Sequence, residues 1–87
     1  MATFVIRVRM PDRPGALGLV ASRIGAVGGD IIALEVLQRD DGQVVDEFVV
    51  ELAGPHLVDL LRSEIEEVDG AVVDEVRPVN SARTTGD

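Results

Sequence analysis

The sequence predicts a small α+β domain with the element order βαββαβ. Three observations predict it: runs in which apolar residues alternate with others, two stretches with apolar residues at helical spacing, and Gly-, Pro- or Asp-rich punctuation between them. At 87 residues the chain is one domain. A chain of this size buries only about 60–65% of its unfolded surface, so a partner surface would add to its stability.

The first strand is residues 3–10. Phe4, Ile6, Val8 and Met10 share one face, and Val5, Arg7 and Arg9 the other. Pro11 ends it. Leu17, Val20, Ala21, Ile24 and Val27 then recur at helical spacing over residues 15–27, and Gly28-Gly29 stops the helix as a C-cap would. Gly18 and Gly25 lie near one side of that helix, and a close packing neighbour would explain them. Residues 30–39, rich in Ile, Leu and Val, make the second strand. Asp40-Asp41-Gly42 signals a hairpin. The third strand, residues 43–52, sets Phe48, Val50 and Leu52 against Glu47, Val49 and Glu51. Gly54-Pro55 opens a second amphipathic helix carrying Leu57, Leu60, Leu61, Ile65 and Val68, with Asp59, Glu64, Glu66 and Glu67 largely in water. After Asp69-Gly70 comes a fourth strand, residues 71–79, in which Asp74 interrupts the apolar positions. The domain is expected over residues 1–80, with a disordered polar tail at 81–87.

This order is the split βαβ, or ferredoxin-like, arrangement: two helices on one face of a four-stranded antiparallel sheet, strands ordered second, third, first, fourth, with right-handed crossovers. The expected core is Phe4, Ile6, Val8, Leu17, Val20, Ile24, Ile32, Leu34, Val36, Phe48, Val50, Leu57, Leu61, Ile65, Val72 and Val76. The second strand falls at an edge, yet carries Ile31, Ile32, Ala33, Leu34, Val36 and Leu37. An apolar, nearly uncharged edge invites pairing. The far face of the sheet offers Val5, Ala33, Leu37, Val49 and Val73. A homodimer or a partner domain is expected to cover part of this surface.

Composition narrows the function. Without cysteine there are no disulfides or thiolate metal sites, and without Lys, Tyr or Trp the catalytic repertoire is thin. His56 is the one histidine and reads as a surface residue of the first turn of the second helix. No catalytic residues, metal or cofactor are expected, and the chain does not read as an enzyme. A net charge of −8 and two aromatics, Phe4 and Phe48, argue against nucleic acid. No signal-peptide pattern stands at the N-terminus and no apolar run reaches the roughly 18 residues of a membrane span, so a cytoplasmic location is expected. The charge is uneven: residues 1–29 sum to +3 and residues 30–87 to −11. Either one end is merely less acidic, or the first strand and loop form a zone that attracts small anions.

The most informative stretch is Asp12-Arg13-Pro14-Gly15-Ala16-Leu17. A strand that ends in a Pro/Gly turn and opens into a helix gathers free backbone N–H groups at the positive end of the helix dipole, where a carboxylate would sit. Asp12 beside them either caps the helix or takes a cation. An anion cup next to an acid suits a zwitterion. Gly15 serves the turn, a close ligand, or both. Arg13 is either solvated or a carboxylate ligand.

The strand order with Asp12-Arg13-Pro14-Gly15-Ala16-Leu17 after the first strand, then Val27-Gly28-Gly29-Asp30-Ile31-Ile32, then Asp46-Glu47-Phe48-Val49-Val50, resembles the ACT domain, a regulatory module of amino-acid metabolic enzymes. The resemblance covers residues 3–79. It implies two copies joined side by side through the second-strand edge and first helix. It also implies an effector amino acid between the strand-to-helix loop of one copy and the start of the second strand of the other. On this chain that site is Met10, Pro11, Asp12, Arg13, Pro14, Gly15, Ala16 and Leu17, with Gly29, Asp30, Ile31 and Ile32 from the partner. Better-known members often place histidine where Met10 stands and asparagine where Asp30 stands. The carboxylate would then rest on the N–H groups of Gly15, Ala16 and Leu17 with Arg13, and Asp12 or Asp30 would take the ammonium. Met10 and Ile31 would wall a pocket for a small or aliphatic amino acid. Such a module would pass its signal to a fused or separate metabolic enzyme or regulator. The competing reading is an association module that dimerises without a ligand.

Overall fold

A computed structural model describes residues 1–79; the expected polar tail lies outside the described residues. The elements are β1 (Ala2–Pro11), α1 (Ala16–Ala26), β2 (Asp30–Asp40), β3 (Gln43–Leu52), a 3-10 turn (Pro55–Leu57) running into α2 (Val58–Glu66), and β4 (Val72–Pro78). The sheet order is β2-β3-β1-β4 with every pairing antiparallel. This is the ferredoxin-like arrangement the pattern predicts.

β1 runs through the middle of the sheet because its alternation is unbroken. Phe4, Ile6, Val8 and Met10 are all buried, facing Phe48, Val50 and Leu52 of β3 and the helices. α1 buries Ala16, Val20 and Ile24, one residue per turn. α2 adds Leu61 and Ile65. Side chains tie the helices down as well. Arg23 of α1 donates to Glu64 of α2 (3.1 Å) and to Glu67 at its C-terminal end (3.0 Å), and Glu66 accepts from the Val73 N–H of β4 (2.9 Å). The three glutamates expected in water therefore all have protein partners.

Several expected core positions differ, for two physical reasons. The first is bulging. Asp74 is an extra residue in β4 opposite the Arg7/Val8 step of β1, so the inward phase moves from Val72 to Val73. Val73 is buried and Val72 exposed, the reverse of the expectation. Arg9 holds the bulge through two hydrogen bonds to Asp74 (2.9 and 3.3 Å), and these keep the Asp74 carboxyl below its ordinary value. In β2 the register slips at Ile32 and again at Leu37, so Ile31, not Ile32, sits opposite Val50 on the inner face. The second reason is reach. The two helices leave most of β2 open, and Leu17, Ile32, Leu34 and Val36, expected in the core, are 40–55% exposed.

Gly18 and Gly25 have no close neighbour: a Cβ at either would meet nothing within 4 Å. The glycine crowded against the core is Gly29, where a Cβ would lie 2.7 Å from Ile24 Cγ2, 2.9 Å from the Ile24 carbonyl oxygen and 3.0 Å from Val50 Cγ1. Two of these groups belong to the core, and one is backbone that already accepts the Gly29 N–H. Gly29→Ala is expected to cost about 1–3 kcal/mol, as overpacking does. Urea unfolding checks this, and an unchanged midpoint would refute the crowding.

Candidate functional site

The junction between β1 and α1 is fixed from both sides. Pro11 closes β1, and the Asp12 N–H donates to the Gly42 carbonyl (2.8 Å) in the turn of the β2–β3 hairpin. That turn has positive φ at both Asp41 (49°) and Gly42 (75°), which matches the twist of the flanking strands. Arg39, from the same hairpin, spans back to Asp12 with Nε to Oδ2 at 3.0 Å and Nη2 to Oδ1 at 3.3 Å. Gly15 takes φ 85° at the N-cap of α1, a left-handed conformation that suits glycine. The Ala16 N–H donates to the Arg13 carbonyl (3.2 Å), closing the turn.

This junction roofs an open cavity of about 150 Å³ on the helix side of the sheet. Its walls are Met10, Pro11, Ala16, Leu17, Val36 and Val44, with Asp12, Arg13, Arg39 and Asp46 as its charged groups. Most of the lining is apolar. Met10 is buried against the core, whereas Leu17 and Val36 stand open beside it.

The structure thus brings together Met10, Pro11, Asp12, Arg13, Ala16 and Leu17 of the expected site. Pro14 and Gly15 shape the turn without lining the cavity. Gly29, Asp30, Ile31 and Ile32 lie at or just before the opposite end of β2, about 13–23 Å from Val36 at ~3.3 Å per residue. Within one chain they do not reach the cavity. Asp12 does not cap α1, which has no side-chain cap; its carboxylate is held by Arg39. Arg13 reaches the Asp69 carbonyl oxygen through Nη2 (3.3 Å).

Val36, Arg39, Val44 and Asp46 line the cavity although the sequence did not mark them as site residues, and Asp46 is the most informative of the four. It is the one buried charged side chain among the described residues, 2% exposed. It sits opposite Val8 of β1 and Val36 of β2. Its Oδ1 has no hydrogen-bond partner, and burial raises its carboxyl above the ordinary aspartate value. The signal was there: counting back by two from Phe48 puts Asp46 on the inward face, where an acid is out of place.

The chain belongs to the ACT domain family, whose model matches residues 4–70. ACT domains are regulatory ligand-binding modules. Solved structures agree on the fold. An unknown protein from Galdieria sulphuraria superposes with a TM-score of 0.77 at 18% identity, covering 91% of this chain and 45% of that one. The ACT domain of GTP pyrophosphokinase from Chlorobium tepidum has a TM-score of 0.67 at 16% identity, covering 91% of this chain and all of that one. A homoserine dehydrogenase from Thiobacillus denitrificans has a TM-score of 0.68 at 19% identity, over 90% of this chain and 17% of its own. The chain therefore spans under half of the Galdieria protein and about a sixth of the dehydrogenase. No curated protein matches it.

Proposed function

We propose that this chain is an amino-acid-sensing module that works as a homodimer and passes its signal to a metabolic enzyme or regulator, fused or separate. The observation that carries the reading is the cavity at the β1–α1 junction, apolar in its walls and charged at a few converging points, as small-molecule sites are. The edge strand supports the dimer. β2 has one free edge, and Ile32, Leu34, Val36 and Leu37 on it are 41–55% exposed. Antiparallel pairing of two such edges would bring the start of one β2 beside the end of the other. Gly29, Asp30, Ile31 and Ile32 of one copy would then approach Val36 and Arg39 of its partner, next to the cavity. A ligand held there would touch both copies, so binding and dimer geometry would share a coupling free energy.

The test is a thermal-shift screen against the twenty common amino acids at millimolar concentration, with D-alanine as control. A rise confined to one or two related L-amino acids is expected, worth about 2.7 kcal/mol at a hundredfold excess over the dissociation constant. A flat response from a protein that is dimeric by mass would point to the association module and overturn the sensing reading.

A further inference from the structure

We infer that Asp46 is the ammonium-binding group of the cavity, so that a ligand enters with its cationic nitrogen inward and its carboxylate toward Arg13 and Arg39 at the mouth. The inference deepens the proposed function and takes the zwitterionic nature of the ligand from it. It reassigns the ammonium, which the sequence pattern gave to Asp12 or Asp30.

Asp46 occupies a position that folding alone gives to an apolar residue. Its neighbours across the strands are Val8 and Val36, and two residues on along β3 comes the fully buried Phe48. A buried polar group without a partner is costly, and native proteins keep few of them. Asp46 keeps Oδ1 unpaired on a buried side chain that lines the cavity.

Asp12 is not equivalent. Both of its oxygens already accept from Arg39. With Asp12 neutralised in this way, Arg13 leaves the mouth net positive and Asp46 leaves the base negative. That polarity orients a zwitterion in one sense only. Around the base, Met10, Ala16, Leu17, Val36 and Val44 offer no competing cation and suit a short aliphatic side chain.

The probes are n-propylamine, which needs only the base, L-valine, which needs base and mouth, and N-acetyl-L-valine, which has no ammonium. The twenty amino acids are run alongside. The readouts are the melting temperature and the pH titration of the Asp46 side-chain carbon by NMR. The expected result is that propylamine and at least one amino acid raise the melting temperature of the wild type and shift the Asp46 titration to lower pH. N-acetyl-L-valine does neither, and Asp46→Asn loses at least tenfold in affinity for both. An amino acid that binds Asp46→Asn as well as wild type would overturn the Asp46 assignment and leave the sensing reading standing. A response to propylamine but to no amino acid would uphold Asp46 and overturn the sensing reading. No response to any probe would overturn both.

Discussion

Replacing Asp46 by valine is expected to stabilise the ligand-free protein by about 1–3 kcal/mol, the scale of an unsatisfied buried polar group. For a domain of this size that is roughly 4–8 °C in melting temperature per kcal/mol. Valine is close in volume to aspartate and would continue the apolar row between Val8 and Val36. Most core substitutions destabilise, so the sign itself is diagnostic. The effect should also depend on pH. Burial raises the Asp46 carboxyl above its ordinary value, so the folded state binds more protons than the unfolded one. Stability therefore falls as pH rises from about 4, the unfolded value, through the raised folded value. Above that window the penalty is constant. The advantage of Asp46→Val should grow across the window and hold at neutral pH. The charged groups that line the cavity with Asp46 are Asp12 and Arg13 from the β1–α1 loop and Arg39 from β2, and the same comparison in an Arg39→Gln background reads the influence of the Arg39–Asp12 pair. A lower melting temperature for Asp46→Val at neutral pH would mean that the carboxylate already has a stabilising partner.

Leu34→Asp is expected to convert the proposed dimer to monomer while leaving the monomer folded. Leu34 lies on the free edge strand, 44% exposed, with Val36 two residues on at 55%. Because the side chain is half in water within one chain, its loss costs the fold little. At the centre of a paired edge a charge would be desolvated beside apolar neighbours, and losses of about 2 kcal/mol or more, some 30-fold in dimer affinity, are typical of such positions. Sedimentation velocity at micromolar concentration reads the outcome. A Leu34→Asp protein that remains dimeric would place the interface elsewhere.

The strand order and helix positions were legible because they rest on local pattern. Alternation in residues 3–10, helical spacing from Leu17 to Val27, and the Asp41-Gly42 turn each act over a few residues. The errors arose where a second strand decides. Whether Ile31 or Ile32 faces inward depends on a bulge against β3, and whether Val72 or Val73 does depends on one against β1. Apolarity marked Leu17, Leu34 and Val36 for burial but could not say that their own helices would leave them uncovered. The site was half legible. The loop motif pointed to Met10, Pro11, Asp12, Arg13, Ala16 and Leu17. Val36, Arg39, Val44 and Asp46 come from a hairpin that reaches the loop only through tertiary contacts such as Arg39 to Asp12.

The proposed occupant of the cavity at the β1–α1 junction is a small amino acid. The most direct test of this proposal is a titration of the uniformly ¹⁵N-labelled protein with each common amino acid, followed by amide NMR. Saturable shifts are expected for one or two amino acids, centred on Met10, Asp12, Arg13, Ala16, Leu17, Val36, Arg39, Val44 and Asp46. Amide positions unmoved by every amino acid, in a protein that remains folded, would contradict it.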